Sequence, residues 1–168
     1  MTVTTRNAIS GAAPAPDWLR NLVGARTHYE ENLGWPATIE IEPHRVVIET
    51  GTVLDAVTIP ADLAQPVLVE LRIALQSGPV ITAPGAESWT FLTEPVMGPR
   101  RALPAELHAA GVRGPDAGTR VTLPSETGSP YWVEPPRSRH CLPPCSAVIG
   151  TARRVVARQF SEQWMTAA

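Results

Sequence analysis

Residues 78–93 read GPVITAPGAESWTFLT, and this stretch decides the fold of the chain. Two short runs rich in β-branched and aromatic residues flank Pro84 and Gly85, a pattern typical of two β-strands joined by a turn. Trp89 and Phe91 are the large apolar residues of the second strand. No acid or base lies on that strand.

The composition indicates one globular domain that can bury a core, since 43% of the 168 residues are hydrophobic and 18% are charged. Eighteen prolines favour many short elements. We predict an α+β fold in a single domain, with three or four helices packed on a mixed or antiparallel sheet of about five or six strands. Residues 1–16 are predicted to be a flexible arm, and residues 17–168 the domain, which ends in a basic helix.

The charges are unevenly distributed along the chain. All fourteen basic residues are arginine, which excludes a Schiff-base lysine and a phosphate-loop lysine. Residues 1–94 contain five arginines and eleven acids, whereas residues 95–168 contain nine arginines and five acids. The basic half either meets an anionic partner or faces the acidic half of its own fold.

The sequence predicts a cytoplasmic protein without a membrane segment. No apolar run is long enough to span a bilayer, and no signal-peptide core follows Met1. Two cysteines in a chain of this length fit a reducing compartment better than a disulfide scaffold.

Periodicity predicts four helices. The first begins at Asp17 and ends at Gly34, with an apolar face formed by Trp18, Leu22, Tyr29 and Leu33. Pro60 and Pro66 mark the start of the second, with Pro66 at a first-turn position. This helix ends at Gly78 and has an apolar face formed by Val67, Leu68, Leu71, Ala74 and Leu75. A short third helix follows Pro104. The last begins near Ser146, and its inward-facing residues are predicted to be Val148, Ile149, Ala152, Val155, Val156 and Phe160.

Alternating apolar and polar residues predict further strands. Residues 38–42 place Ile39 and Ile41 on one face and form a hairpin with residues 45–50. Residues 51–59 are apolar, but their pattern does not distinguish a helix from a strand. Residues 119–123 and 131–133 are also predicted to be strands.

Several of these pieces follow one another in an order that resembles a known family. They are a helix ending in Leu33-Gly34-Trp35-Pro36, a helix ending in Gly78-Pro79, the strand pair, and late strands reading RVTLPS at residues 120–125 and then Tyr131-Trp132. Over residues 18–133 the chain resembles the N-terminal domain of bacterial bifunctional DNA primase-polymerases, of the archaeo-eukaryotic primase type. The resemblance implies an α/β core related to RNA-recognition folds and metal-dependent nucleotide polymerisation.

The chain departs from that family at the catalytic strand. The family places two carboxylates there, because two metal ions must be held close together. This chain has residues 88–93 instead, SWTFLT, and no match to the family's Ser-x-His motif. Glu87 and Glu94 flank the strand but alternate to opposite faces. We therefore expect a non-catalytic binding or regulatory module without a metal cofactor. The alternative is a Mg- or Mn-dependent nucleotidyltransferase with displaced acids at Glu87, Glu94 or Asp116.

The basic C-terminal half supplies the candidate binding residues. They are Arg137, Arg139, Arg153, Arg154, Arg158 and Trp132. Guanidinium groups with an aromatic face beside them suit single-stranded nucleic acid or an acidic protein partner. The alternative interpretation is a basic but merely solvated helix face.

Two further interpretations concern the cysteines and the tryptophans. His140, Cys141 and Cys145 contain three soft ligands for zinc. We favour the alternative in which both cysteines are small buried hydrophobes. Exposed tryptophans would indicate a homodimer interface, although Trp18 and Trp164 are expected to pack within the domain. The sequence leaves the oligomeric state open.

Overall fold

The computed structural model describes residues 14–126 and 129–166, the last four of these without their side chains. The helices of this part of the chain are α1 (Asp17–His28), α2 (Ala61–Ile73), α3 (Ala105–Ala109) and α4 (Cys145–Thr166). Its strands are β1 (Ala37–Glu40), β2 (Arg45–Glu49), β3 (Asp55–Pro60), β4 (Val80–Thr82), β5 (Ser88–Thr93), β6 (Arg120–Leu123) and β7 (Tyr131–Glu134). The predicted α+β class is confirmed. Most of the predicted arm, residues 1–13, and the side chain of Trp164 lie outside the described residues.

The strands are divided between two antiparallel sheets. The three-stranded sheet has the order β1-β2-β6, and the four-stranded sheet has the order β3-β5-β4-β7. The predicted β1–β2 hairpin and the β4–β5 pair are both present. Residues 51–59, which the sequence left unassigned, contain most of β3, and β3 pairs with β5 along its full length.

Two apolar cores lie on opposite faces of the four-stranded sheet. The helix-side core includes Val57 and Phe91 and is covered by α2, α3 and α4. The inter-sheet core includes Ile81 and Leu92 and is covered by α1 and the three-stranded sheet. Successive residues of a strand point to opposite faces, which is why Phe91 and Leu92 belong to different cores.

The end of the first helical segment follows the prediction. After α1 the helix continues as a π-helical turn (Tyr29–Leu33) and ends at Gly34, whose φ of 70° is readily accessible to glycine. Leu22, Tyr29 and Leu33 are buried, and Trp18 is half-buried.

The predicted first-turn position of Pro66 and the predicted end of α2 at Gly78 were wrong. The helix begins at Ala61 because Pro60 takes the N-cap position and the buried Leu63 extends the apolar face towards the N-terminus. Pro66 therefore lies inside the helix rather than in its first turn. At the other end, Leu75 adopts a left-handed φ of 57°, which stops the helix before Gly78. Ala74 and Leu75 are exposed instead of packed.

Two further residues expected to face inward are exposed. Ile41 lies in the turn after β1, because that strand ends at Glu40. Phe160 is 49% exposed on α4, whereas Val148, Ala152, Val155 and Val156 are buried as predicted. Gly78 is required by packing, since a Cβ there would lie 2.2 Å from Cδ of Pro143. Within the described residues, no helix combines the length and apolarity needed to cross a membrane.

Candidate functional site

An open cleft of about 440 Å³ lies between the two sheets; we call it the inter-sheet cleft. One wall is formed by β3, β4 and β5, with Arg113 paired to Thr58 of β3, and the other by β6 and residues 116–119. The hydroxyl-bearing residues of these walls are Thr50, Thr58, Thr82, Ser88, Thr90, Thr119 and Thr122. A hydroxyl both donates and accepts hydrogen bonds, so this lining suits a polar ligand.

Strand alternation explains why β5 turns hydroxyls into the cleft. Trp89 and Phe91 pack in the helix-side core, so Ser88 and Thr90 point to the other face. Leu92 is fully buried in the inter-sheet core, which closes one end of that face. β5 thus borders the cleft with hydroxyl groups.

A buried threonine fixes the wall opposite β5. The Thr50 hydroxyl donates to the backbone carbonyl of Asp116, has the Thr119 carbonyl 3.2 Å away, and accepts from the Thr119 amide at 3.1 Å. Since Thr50 follows directly on β2, these bonds tie residues 116–119 to the three-stranded sheet.

The cleft has two arginines and one acid among its described lining residues. The Arg120 guanidinium pairs with Glu40 at 3.0 Å, and Arg45 bonds the same carboxylate. These hydrogen bonds hold the pKa of Glu40 below its usual value, the bond from Arg45 having the largest effect. Arg113 has no polar side-chain contact within residues 14–126 and 129–166. The acid is Asp116.

No metal-binding group is present among the described side chains: nowhere do three or more His, Cys, Asp or Glu residues converge. Glu87 and Glu94 are exposed at the two ends of β5 and do not line the cleft. Their backbones are used structurally, because the Glu87 carbonyl accepts from Ala61 and the Glu94 amide donates to Pro143.

The predicted α4 arginines point outward but are ion-paired to acids of the same chain. Arg153 pairs with Glu106 at 2.7 Å, and both Arg154 and Arg158 pair with Glu70 of α2. All three guanidinium side chains are at least 60% exposed, so each pair is weak and screened by salt. The pairs nevertheless offset much of the positive charge of this helix face.

The other two predicted arginines bond to a buried acid and to backbone carbonyls. Arg137 donates to Glu134 at 2.7 Å, and Arg72 donates to the same carboxylate at 2.9 Å. Burial raises the pKa of Glu134, but these bonds outweigh it and the pKa lies below its usual value. Arg139 donates to the carbonyls of Glu31 and Asn32, which ties the loop before α4 to the end of the π-helical turn.

Trp132 is a packing residue with a partly accessible face. Its ring lies edge-on to Tyr29 with 6.4 Å between centroids, and it packs on the inter-sheet core. The Tyr29 hydroxyl donates to the Pro124 carbonyl at 2.5 Å. Burial raises the pKa of Tyr29 to about 12, partly opposed by the hydrogen bond with Trp132.

The histidine and the two cysteines differ in exposure. His140 is exposed, Cys141 is half-buried, and Cys145 is buried at the start of α4. Burial raises the pKa of the Cys145 thiol, while a hydrogen bond with Thr93 opposes that rise. A buried thiol that stays protonated behaves as a small hydrophobe.

Sequence reasoning did not identify the inter-sheet cleft. The alternation of Ser88 and Thr90 with Trp89 and Phe91 was a visible signal that one face of β5 is polar. Nothing in the sequence pointed to Arg113, whose position depends on pairing with a distant strand.

Comparisons with protein-family models, curated proteins and solved structures gave no significant match to this chain.

Proposed function

We propose that this chain is a non-catalytic, primase-polymerase-like binding module for an anionic partner, either nucleic acid or an acidic protein. The observation that carries the proposal is the surface of β5 in the inter-sheet cleft, where Ser88 and Thr90 supply hydroxyls. Nucleotidyl transfer needs two metal ions held by paired carboxylates, and hydroxyl groups are poor ligands for them. The cleft combines these hydroxyls with Arg113, which pairs with no acid of the described residues, and such groups can recognise a ligand without acting on it.

The arginines of α4 and of the loop before it are a second candidate surface. Their exposed guanidinium groups support this candidate, whereas their ion pairs with Glu70, Glu106 and Glu134 count against it. An incoming anion would have to displace a carboxylate of the chain itself. We therefore place the main site in the cleft.

The enzymatic alternative has support from one residue. Of the three displaced acids, Glu87, Glu94 and Asp116, Asp116 borders the cleft. A single carboxylate cannot hold two metal ions, however. The homodimer alternative has less support, because Trp35 is buried and Trp18, Trp89 and Trp132 are half-buried.

The direct test is an assay of primer synthesis and primer extension with the full chain and Mg²⁺ or Mn²⁺. We expect no product with ribonucleotides or deoxyribonucleotides. A product that forms with the unaltered chain and disappears in Asp116→Asn would contradict the proposal.

A companion measurement locates the binding site. Thr90→Trp fills the inter-sheet cleft, and Thr38→Trp places the same ring on the exposed face of β1 as a matched control. By fluorescence anisotropy, we expect Thr90→Trp to weaken binding of a labelled single-stranded oligonucleotide or of polyglutamate by about tenfold or more, which corresponds to about 1.4 kcal/mol. Equal effects of the two variants, or a chain that binds neither probe, would count against the proposal.

A further inference from the structure

A second depression, of about 730 Å³, is lined by residues 100–103 and 111–116 together with His108. We call it the arginine depression, because Arg101 and Arg113 line it together with His108 and Asp116. It shares Arg113 and Asp116 with the cleft, so the two cavities are neighbours. Its volume is within the range of small-molecule sites, roughly 300–1,000 Å³.

The backbone of Arg113 is held in place by β3. Its amide donates to the Thr58 carbonyl and its carbonyl accepts from the Thr58 amide, at 2.9 and 3.0 Å. The preceding residue, Val112, is 1% exposed and packs in the helix-side core. Arg113 therefore projects from a fixed point on a loop anchored from both sides.

The neighbour of Arg101 anchors the other side of the depression. The Arg100 guanidinium pairs with the fully buried Asp55 at 3.1 Å and donates to the Pro115 carbonyl at 2.7 Å. Asp55 also accepts from the Val96 amide at 2.7 Å. Arg101 thus follows a residue that is tied both to β3 and to residues 113–116.

The two arginine-bearing segments are in direct contact. A Cβ placed on Gly114 would lie 3.1 Å from Cγ of Leu103, so the chain beside Arg113 packs against the chain beside Arg101. Because both arginines lie on anchored backbone, less conformational entropy is lost when they bind an anion.

Arg101 and Arg113 differ from the other described arginines in that their side chains have no partner in the described part of the chain. Within residues 14–126 and 129–166, every other arginine side chain bonds to a carboxylate or to a backbone carbonyl of the chain. Neither Arg101 nor Arg113 has such a contact. Both are exposed, and the exposed His108 is a further hydrogen-bond donor nearby. Asp116 is the single acid among the described residues that line the depression.

We propose that the arginine depression binds a phosphate ester, contributed by a nucleotide or by the backbone of a nucleic-acid strand. The two oxygens of a carboxylate are satisfied by one guanidinium fork, whereas a phosphate offers further oxygens for a second fork and greater negative charge. Two unpaired arginines on one depression therefore fit a phosphate better than an acidic side chain. This inference deepens the proposed function, on which it rests, by naming the chemistry of the anionic partner.

The test is a calorimetric titration of the full chain with pyrophosphate, repeated with a nucleoside monophosphate and with a short single-stranded oligonucleotide. The variants are Arg101→Gln and Arg113→Gln, and Arg26→Gln is the matched control because it removes an exposed arginine of α1 that is paired with Glu30. We expect each of the two depression variants to weaken pyrophosphate binding about tenfold, because each loses one charge-assisted hydrogen-bonding partner. The control should leave pyrophosphate binding unchanged.

The nucleotide and the oligonucleotide distinguish the two sources of phosphate. Tighter binding of the oligonucleotide, with a steep dependence on salt and competition by pyrophosphate, assigns the depression to a nucleic-acid strand. Tighter binding of the mononucleotide assigns it to a nucleotide. Pyrophosphate binding that is absent, or equal in all variants, overturns the inference. That outcome is separate from failure of the proposed function, which would appear as primer synthesis or as equal effects of Thr90→Trp and Thr38→Trp on binding.

Discussion

At the residue scale, Glu134 is the most constrained acid of the basic C-terminal half. It ends β7, its side chain is 8% exposed, and it accepts hydrogen bonds from Arg72 and Arg137. A buried carboxylate is stable only when such partners replace its hydration. Because Arg72 belongs to α2, the carboxylate joins that helix to the edge strand of the four-stranded sheet.

Glu134→Gln should destabilise the protein in a pH-dependent way. The folded-state pKa of Glu134 is lowered, so its contribution is present above the unfolded-state pKa of about 4.3 and disappears as the pH falls through the folded value. Since Arg72 and Arg137 are about half exposed or more, we expect a loss of about 1–2 kcal/mol at neutral pH. Urea unfolding at pH 7 and below pH 4 measures it, with the exposed Glu87→Gln as control. An equal loss at both pH values would contradict this assignment.

The outward direction of the α4 arginines was predictable from the sequence, but their partners were not. A period of 3.6 residues identifies the outer face of a helix without reference to the rest of the chain. The partner of Arg158 is Glu70, which is 88 positions away, and this pairing depends on how α2 and α4 pack. The possibility that the basic half faces acids of its own fold was raised from the charge counts, and these ion pairs fit it.

At the scale of elements, α2 contains a proline where a helix is usually weakened. Pro66 is the sixth residue of the helix, so it cannot donate to the carbonyl of Asp62. A prediction that placed Pro66 in the first turn was reasonable, because proline is tolerated there. Leu63 and Ala64 are buried and precede Pro66, so the apolar face of the helix extends further towards the N-terminus than the position of Pro66 indicated.

Pro66→Ala should raise the free energy of unfolding by about 1 kcal/mol. Alanine restores the hydrogen bond to Asp62 and removes a helix-interior cost of about 3 kcal/mol, part of which is offset by a more flexible unfolded chain and by lost packing of a half-buried ring. Urea unfolding measures the gain. Pro104→Ala is the control, because Pro104 is the N-cap of α3, where a proline interrupts no hydrogen bond of the helix interior. A loss of stability in Pro66→Ala would contradict this account of α2.

At the scale of the whole molecule, the division of the strands into two sheets was not predictable from the sequence. The local hairpins β1–β2 and β4–β5 were, because a short turn fixes each pair. The pairings of β2 with β6 and of β4 with β7 join strands far apart in the chain, and local patterns do not encode them. The inter-sheet cleft lies between β6 and the strands β3, β4 and β5, which only the tertiary fold brings together, so it could not be predicted either.

The central claim is that the cleft recognises an anionic partner but cannot hold the metal ions of a polymerase. The most direct measurement is a calorimetric titration of the full chain with Mn²⁺, with and without a nucleoside triphosphate, corrected for the binding of Mn²⁺ to the nucleotide itself. The account predicts no saturable metal binding to the protein in either case, and no difference between the unaltered chain and Asp116→Asn. A saturable Mn²⁺ site that Asp116→Asn abolishes would contradict it.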